Sequence, residues 1–299
     1  MSDLSILKTR PSLRERVFLS SSAKTYPHAT AILLLLPFLA VLSAGFAYPL
    51  LKLIALSLPD FSPHHYLRIV REPLYFGVLM STAMTAMSVM VAALFLGFPV
   101  AYAMTRLKHR LALVVTACVL IPLWTSVLIR SYAWIVILQR NGIINEGLVA
   151  LGVVDAPLRM IYTQGAVILT MAHVLLPFMI LPVFSALRAI PPEYVQAART
   201  LGSGPVHAFV TITMPLALPG IFAGCVICFV LALGFYVTPA LVGGPGSMMI
   251  ATLIGQQTTV LLDWPFAAAL STVLLILTLT VILIFRKTRS LSKGLNGGV

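Results

Sequence analysis

The chain is poor in charge. Only 9% of its 299 residues are Asp, Glu, Lys or Arg, where a soluble domain carries about a quarter. That stock cannot cover a surface facing water on all sides, which excludes an ordinary soluble protein. Acids are scarcer still. Asp3, Glu15, Asp60, Glu72, Glu146, Asp155, Glu193 and Asp263 are all there are, and none lies inside a long apolar run. Proton- or sodium-coupled carriers place carboxylates within the membrane, so their lack counts against self-powered transport. The phosphate-cradling pattern GxxxxGK[ST] is missing too, so ATP is not bound by that motif. Cysteines number three, too few for a disulfide framework. Cys225 and Cys228 form a CxxC without a second pair or a histidine cluster, so they read as two small residues of a buried helix rather than a metal site. Alternation with period two is absent, which gives no support to a membrane β-barrel. No catalytic constellation and no cofactor site is read.

What is present is apolar. Hydrophobic residues make up 60% of the chain and mean hydropathy is +1.02. Six runs stand out, at about 30–58, 74–104, 111–138, 165–187, 219–242 and 266–285. Each can cross about 30 Å of hydrocarbon as a helix. The first is longer and later than the apolar core of a signal peptide, so it reads as an uncleaved span rather than a leader cut near Ser43–Ala47. The expected organisation is an all-α membrane protein with six transmembrane helices. Residues 1–28 form a tail, 29–73 the first transmembrane helix and an external loop, 74–285 a five-helix core containing a loop at 188–218, and 286–299 a second tail.

Orientation follows from Lys and Arg. Fourteen lie in the N-tail, after the second run, in the 188–218 loop and in the C-tail. Four lie in the alternate segments, namely Arg68, Arg71, Arg140 and Arg159. The excess puts both termini and the 188–218 loop in the cytoplasm. The net charge of +12 therefore sits in short clusters beside apolar spans, not in a basic run with interleaved aromatics, and argues against nucleic acid as a partner.

Within that loop, Pro191 and Pro192 break the preceding run, and proline suits the first turn of a new helix. Tyr194, Ala197, Ala198 and Leu201 fall at i, i+3, i+4 and i+7 and share one helix face. Glu193, Gln196, Arg199 and Thr200 take the other. Gly202 is a C-terminal stop, and Pro205 bars simple continuation. The helix spans about 15 Å, too short to cross a bilayer, and reads either as an interfacial loop helix or as a docking surface.

The loop resembles the EAA loop of binding-protein-dependent ABC importer permeases. That family's pattern is Glu-Ala-Ala, three residues, Gly, nine residues, Ile, one residue, Leu-Pro. Gln196-Ala197-Ala198, Gly202, Ile212, Met214 and Pro215 match it in spacing, with Gln196 for the Glu and Met214 for the Leu. The resemblance implies the type I ABC importer permease fold and the bacterial inner membrane. It implies three kinds of partner: a cytoplasmic ABC ATPase dimer on the loop, a second permease (a different chain), and an extracytoplasmic substrate-binding protein. ATP hydrolysis then belongs to another chain, and this one is not an enzyme. Residues Glu193, Tyr194, Gln196, Ala197, Ala198, Arg199, Leu201, Gly202 and Pro215 become the expected ATPase-coupling set. The readings from other classes are a stand-alone secondary transporter or channel, and a non-transporting scaffold.

Two further strings resemble the polyamine-type permeases, whose substrates include spermidine and putrescine. One runs Leu128-Ile129-Arg130-Ser131-Tyr132-Ala133-Trp134. A charge there costs about 3 kcal/mol if central and lipid-facing, so Arg130 faces the bundle, a wet path or a partner, or else snorkels to the interface beside Tyr132 and Trp134. The other runs from Leu233 to Pro245 and holds Phe235 and Tyr236 before glycines and a proline, which suggests a broken helix beside a cavity. Arg130, Tyr132, Trp134, Phe235 and Tyr236 form the candidate substrate pathway. His173 reads as a buried, hydrogen-bonded histidine. Residues 143–151 read as a short amphipathic helix on the outer surface.

Overall fold

The computed structural model describes residues 28–296; the basic tail 1–27 lies outside the described residues. The N-terminal unit begins with α1 (His28–Leu42), which passes through a π-helical turn at Ser43–Ala47 into α2 (Tyr48–Ser57). Ile32–Ser57 is long and apolar enough to cross a membrane. Residues 32–49 are all exposed, as an apolar helix facing lipid must be.

The second unit begins at Leu53. It continues through α3 (His64–Arg71), α4 (Pro73–Arg106), α5 (His109–Trp124), α6 (Val127–Leu138), α7 (Ile143–Ala150) and α8 (Gln164–Arg188). After these come α9 (Pro192–Thr200), α10 (Pro205–Ala208), α11 (Met214–Leu233), α12 (Val237–Val242), α13 (Ile250–Thr259) and α14 (Trp264–Asn296). No strand occurs among the described residues.

Its centre is a close-packed trio, α4, α8 and α11. Lipid offers no hydrophobic drive between helices, so they associate by tight contact, and small residues allow it. On α4, Ala86, Ala93 and Ala101 are fully buried, spaced so that they share a face with Gly97. A Cβ on Gly97 would sit 3.1 Å from Met179 Cγ of α8. On α11, Ala217, Gly220, Gly224 and Cys228 play the same part. Cys225 and Cys228 are buried free thiols of this core, and Cys228 Sγ lies 3.6 Å from the Leu175 carbonyl.

Two runs differ from the sequence expectation. The run at 111–138 is not one straight span. Thr125 and Ser126 are extended, and the chain axis turns by 104° there. Pro122 lies in the turn before, where its ring weakens the helix. The fifth span starts at Pro205, not near residue 219, and runs through a π-turn at Phe209–Thr213 to Leu233. Pro205 ends the continuation of α9, as expected, and also opens the next helix, since a first-turn proline loses no hydrogen bond. Pro215 has no N–H for the Thr211 carbonyl, and the wide π-turn just before it absorbs the misfit. The last run agrees with the span Trp264–Phe285, and α14 continues as helix beyond it to Asn296. The described residues thus hold five helical runs able to cross a membrane, or six with the bent pair counted as one.

Polar ties fasten the end of the bundle away from Arg106 and Arg188. Thr82 of α4 accepts a 2.8 Å hydrogen bond from the Ile250 N–H at the start of α13. Arg68 pairs with Glu72 at 3.1 Å and Asp263 at 3.6 Å and stacks 4.4 Å from the Phe266 ring centre, so it joins α3 to the start of α14. The Asn145 side chain, fully buried on α7, donates to the Gln139 and Leu158 carbonyls and accepts from the Leu158 N–H at 2.9 Å. Asn145→Ala takes away the acceptor of the Leu158 N–H, while the Gln139 and Leu158 carbonyls keep the Gly142 and Met160 N–H donors, at about 1–3 kcal/mol for the lost bond and the cavity left behind. Limited proteolysis of the purified variant will cut within 151–160 at least several-fold faster than in the parent chain, with cleavage elsewhere unchanged.

Candidate functional site

The helix α9 forms where its caps allow. Pro191 precedes it in extended conformation, Pro192 occupies the first position, and Glu193 sits in the first turn, where its charge suits the helix dipole. Its end is a Schellman motif. The Ser203 N–H reaches the Ala198 carbonyl at 2.9 Å and the Gly202 N–H reaches Arg199 at 3.0 Å. Gly202 adopts φ +86° with open space around its Cα. The demand for glycine is therefore conformational, not steric.

The faces of α9 are rotated from the sequence expectation. Val195 and Ala198 are the half-buried positions turned to the bundle. Tyr194, Ala197 and Leu201 point away from it. Tyr194 is 54% exposed and Leu201 88%. Val206 on α10, at 75%, adds to the exposed apolar surface next along the chain. Glu193, Gln196 and Arg199 are exposed, the last two on the rim of a cleft. Pro215 lies in the helix beyond the π-turn and is absent from that cleft. The structure thus assembles eight of the nine predicted residues on one short helix and its cap, and leaves Pro215 as a backbone element of α11.

The second candidate set converges at the break of the third span and the end of the fifth. The helix α11 stops at Leu233, and α12 starts at Val237. Phe235 packs half-buried on the main core. Tyr236 is 47% exposed, and its ring covers Gly255 of α13, where a Cβ would meet Cε2 at 2.7 Å. Ser131 of α6 and Thr238 of α12 share a 2.9 Å hydroxyl hydrogen bond, which links the two strings that the sequence left far apart. Tyr132 is exposed. Trp134 donates from Nε1 to His173 Nδ1 at 3.2 Å, with the rings T-shaped. His173 is hydrogen-bonded as expected, yet it stands exposed on α8 instead of buried. Arg130 is half-buried. Its Nε and Nη1 are shielded and unpaired, and Nη2 approaches the Thr125 carbonyl at 3.4 Å.

Sequence reasoning missed the Ser131–Thr238 and Trp134–His173 pairs. Only the tryptophan carried a signal, because a shielded indole N–H needs an acceptor. It also missed the cleft itself, where α4, α5, α8 and α9 meet. No group of three or more potential metal ligands occurs among the described residues.

A multi-pass helical bundle with a short amphipathic helix presented at its basic end is the architecture of a membrane permease. The chain belongs to the binding-protein-dependent transport system inner membrane components, whose family model matches residues 93–292. It is 36% identical over 234 residues to the spermidine/putrescine transport system permease protein PotB of Escherichia coli (strain K12), covering 78% of this chain and 85% of that one. It is 33% identical over 224 residues to the inner membrane ABC transporter permease protein YdcU of the same organism, covering 71% of each. Among solved structures it shares its fold with a bacterial ABC transporter involved in the import of the acidic polysaccharide alginate. The TM-score there is 0.70 at 16% identity, over 87% of this chain and 94% of that one. The MetNI methionine ABC transporter in an inward-facing form gives a TM-score of 0.54 at 17% identity, over 70% and 91%. The chain is therefore a multi-pass permease subunit of an ABC importer of the bacterial inner membrane, and is not itself an enzyme.

Proposed function

We propose that this permease forms one half of the pathway for a polyamine such as spermidine or putrescine, delivered by a soluble binding protein outside. An ABC ATPase dimer seats on the exposed face of α9 in the cytoplasm, and a second, different permease completes the pathway. The observation that carries the reading is the unsatisfied apolar face of Tyr194, Ala197 and Leu201, with Val206 close behind in sequence. Large exposed apolar side chains on a polar helix stopped by a Schellman motif suit a rigid lever that must meet a protein. The excess of Lys and Arg on its side of the membrane puts that face in the cytoplasm, where ATP is. The substrate class rests on the PotB relatives. Closure of the ATPase pair would then move residues 192–202 and switch the pathway between its two open states.

The pathway residues follow from the second cluster. Tyr132, His173 and Tyr236 are exposed in this single chain, next to the break after Leu233. Polar groups at membrane depth require a partner subunit or a wet cavity. Aromatic faces suit an organic cation.

The test is purification of tagged chain from its native membrane in mild detergent, with partners identified by mass. Co-purification of an ATPase and a second permease, with ATP-dependent polyamine uptake in vesicles, is the expected result. A chain that comes out alone and moves solute without ATP is a secondary carrier, and the proposal fails. A finer prediction concerns Gln196, which stands where the family has Glu. It is exposed on the rim of the cleft with Arg106, Arg188 and Arg199, so Gln196→Glu introduces an acid among cations. That variant will assemble with the ATPase at parental yield in the same pulldown. Loss of the ATPase would show that the partner requires the amide.

A further inference from the structure

The cleft on the bundle side of α9 has a volume of about 570 Å³. Arg106, Arg188, Arg199 and His109 line it, together with Gln196, and none of its lining residues is acidic. None of the three arginine side chains makes an ion pair or hydrogen bond among the described residues; the ion pairs found there belong to Arg68. Two of them lie over aromatic rings. The Arg106 guanidinium lies 5.2 Å from the centre of the Tyr102 ring, and that of Arg188 lies 5.9 Å from the centre of Phe184. A guanidinium that lies over a ring and donates to no protein acceptor keeps its N–H fork free, and that fork fits two oxygens of a phosphate.

Helix dipoles do not supply the charge. The helices α4 and α8 end at the cleft, while α5 and α9 begin there, so their partial charges oppose one another. The positive field is that of the side chains. The family motif would put a glutamate at position 196, inside this ring of cations. Here the residue is a neutral amide, and the cleft has no internal counter-ion. Its depth points the same way. Arg106 and Arg188 are the last residues of two spanning helices, the level at which lipid headgroups lie.

We propose that this cleft is a binding site for a phosphate group, supplied by an anionic phospholipid headgroup or by free phosphate. The cleft lies on the bundle side of α9 and shares Gln196 and Arg199 with the expected coupling set, so its test is a lipid- and phosphate-binding measurement rather than ATPase association or uptake.

The complex, purified with its co-purifying partners and stripped of lipid in detergent, is titrated with phosphatidylglycerol, phosphatidylcholine or inorganic phosphate. Retained ligand is read by native mass spectrometry. The parent chain will retain phosphatidylglycerol about tenfold better than phosphatidylcholine. Gln196→Glu and the double variant Arg106→Ala/Arg188→Ala will both lose that preference. These side chains are exposed, and equal thermal melting of the parent and variants checks that the fold is kept. Displacement of the lipid by millimolar inorganic phosphate, or retention of phosphate alone, identifies free phosphate as the source. Lipid retention that phosphate cannot displace identifies the headgroup. The proposal is overturned if the parent retains both lipids equally and no phosphate, or if the preference survives in both variants.

Discussion

Leu201→Asp will leave the chain in the membrane at its normal level and strip it of its ATPase. Leu201 is 88% exposed and caps α9 without touching the core. Folding therefore loses almost nothing when it changes. Docking loses more. Burying a leucine contributes about 1.5–3 kcal/mol, and a carboxylate left in its place must be desolvated against an apolar partner. Association falls by well over tenfold, since about 1.4 kcal/mol is a factor of ten. The measurement is a pair of blots, one for the chain in the membrane fraction and one for the ATPase that co-purifies. Uptake in the same cells must fall in step. Normal co-purification and normal uptake would show that the exposed face of α9 is not the seat.

The opposite result is expected at Gly220, where the fold fails before function can be read. A Cβ there would collide with the Ala186 Cβ and lie 2.5 Å from the Pro182 carbonyl oxygen. The obstacle is backbone of a packed helix, not the tip of a flexible side chain, so α8 and α11 must move apart. The separation propagates to Gly224, where a Cβ would already meet Met179 Sδ at 2.7 Å. Gly220→Val costs about 3 kcal/mol or more through overpacking, a large share of the total stability of a domain. The variant will melt far below the parent in detergent and its membrane level will drop severalfold. Gly77→Ala on α4 is the matched control. Nothing lies within 4 Å of the Cβ it would add, and alanine favours the helix by about 1 kcal/mol, so its melting will equal or exceed the parent's. A Gly220→Val chain as stable as the control would mean that the three central helices are not packed at this distance.

Much of the fold was legible because bilayer physics is severe. Six apolar runs, no acid inside them and a one-sided excess of Lys and Arg leave few architectures open. The loop helix was equally legible. Pro192 at its start and Gly202 at its end are local signals, and the φ of +86° at Gly202 is what such a stop demands. Boundaries that depend on local competition were not. The break at Thr125 and Ser126 lies in an apolar run where hydropathy cannot register a 104° turn. The start of the fifth span at Pro205 was hidden because His207, Thr211 and Thr213 look polar, although Thr211 satisfies its hydroxyl on the His207 carbonyl at 2.7 Å.

The sequence by itself determined that this protein is a helical membrane bundle with a short, capped helix between two spans. Those properties depend on composition and on neighbours within a few residues. Tertiary structure alone decided which face of that helix is free, since Tyr194 and Ala198 share a stripe by spacing yet only Ala198 turns to the bundle. It also brought Ser131 to Thr238 and Trp134 to His173, and set Arg106, Arg188 and Arg199 around one cleft. The physical reason is that helix–helix register in a membrane comes from close contact between small residues many positions apart. Spacing along one chain cannot express which glycine will meet which carbonyl.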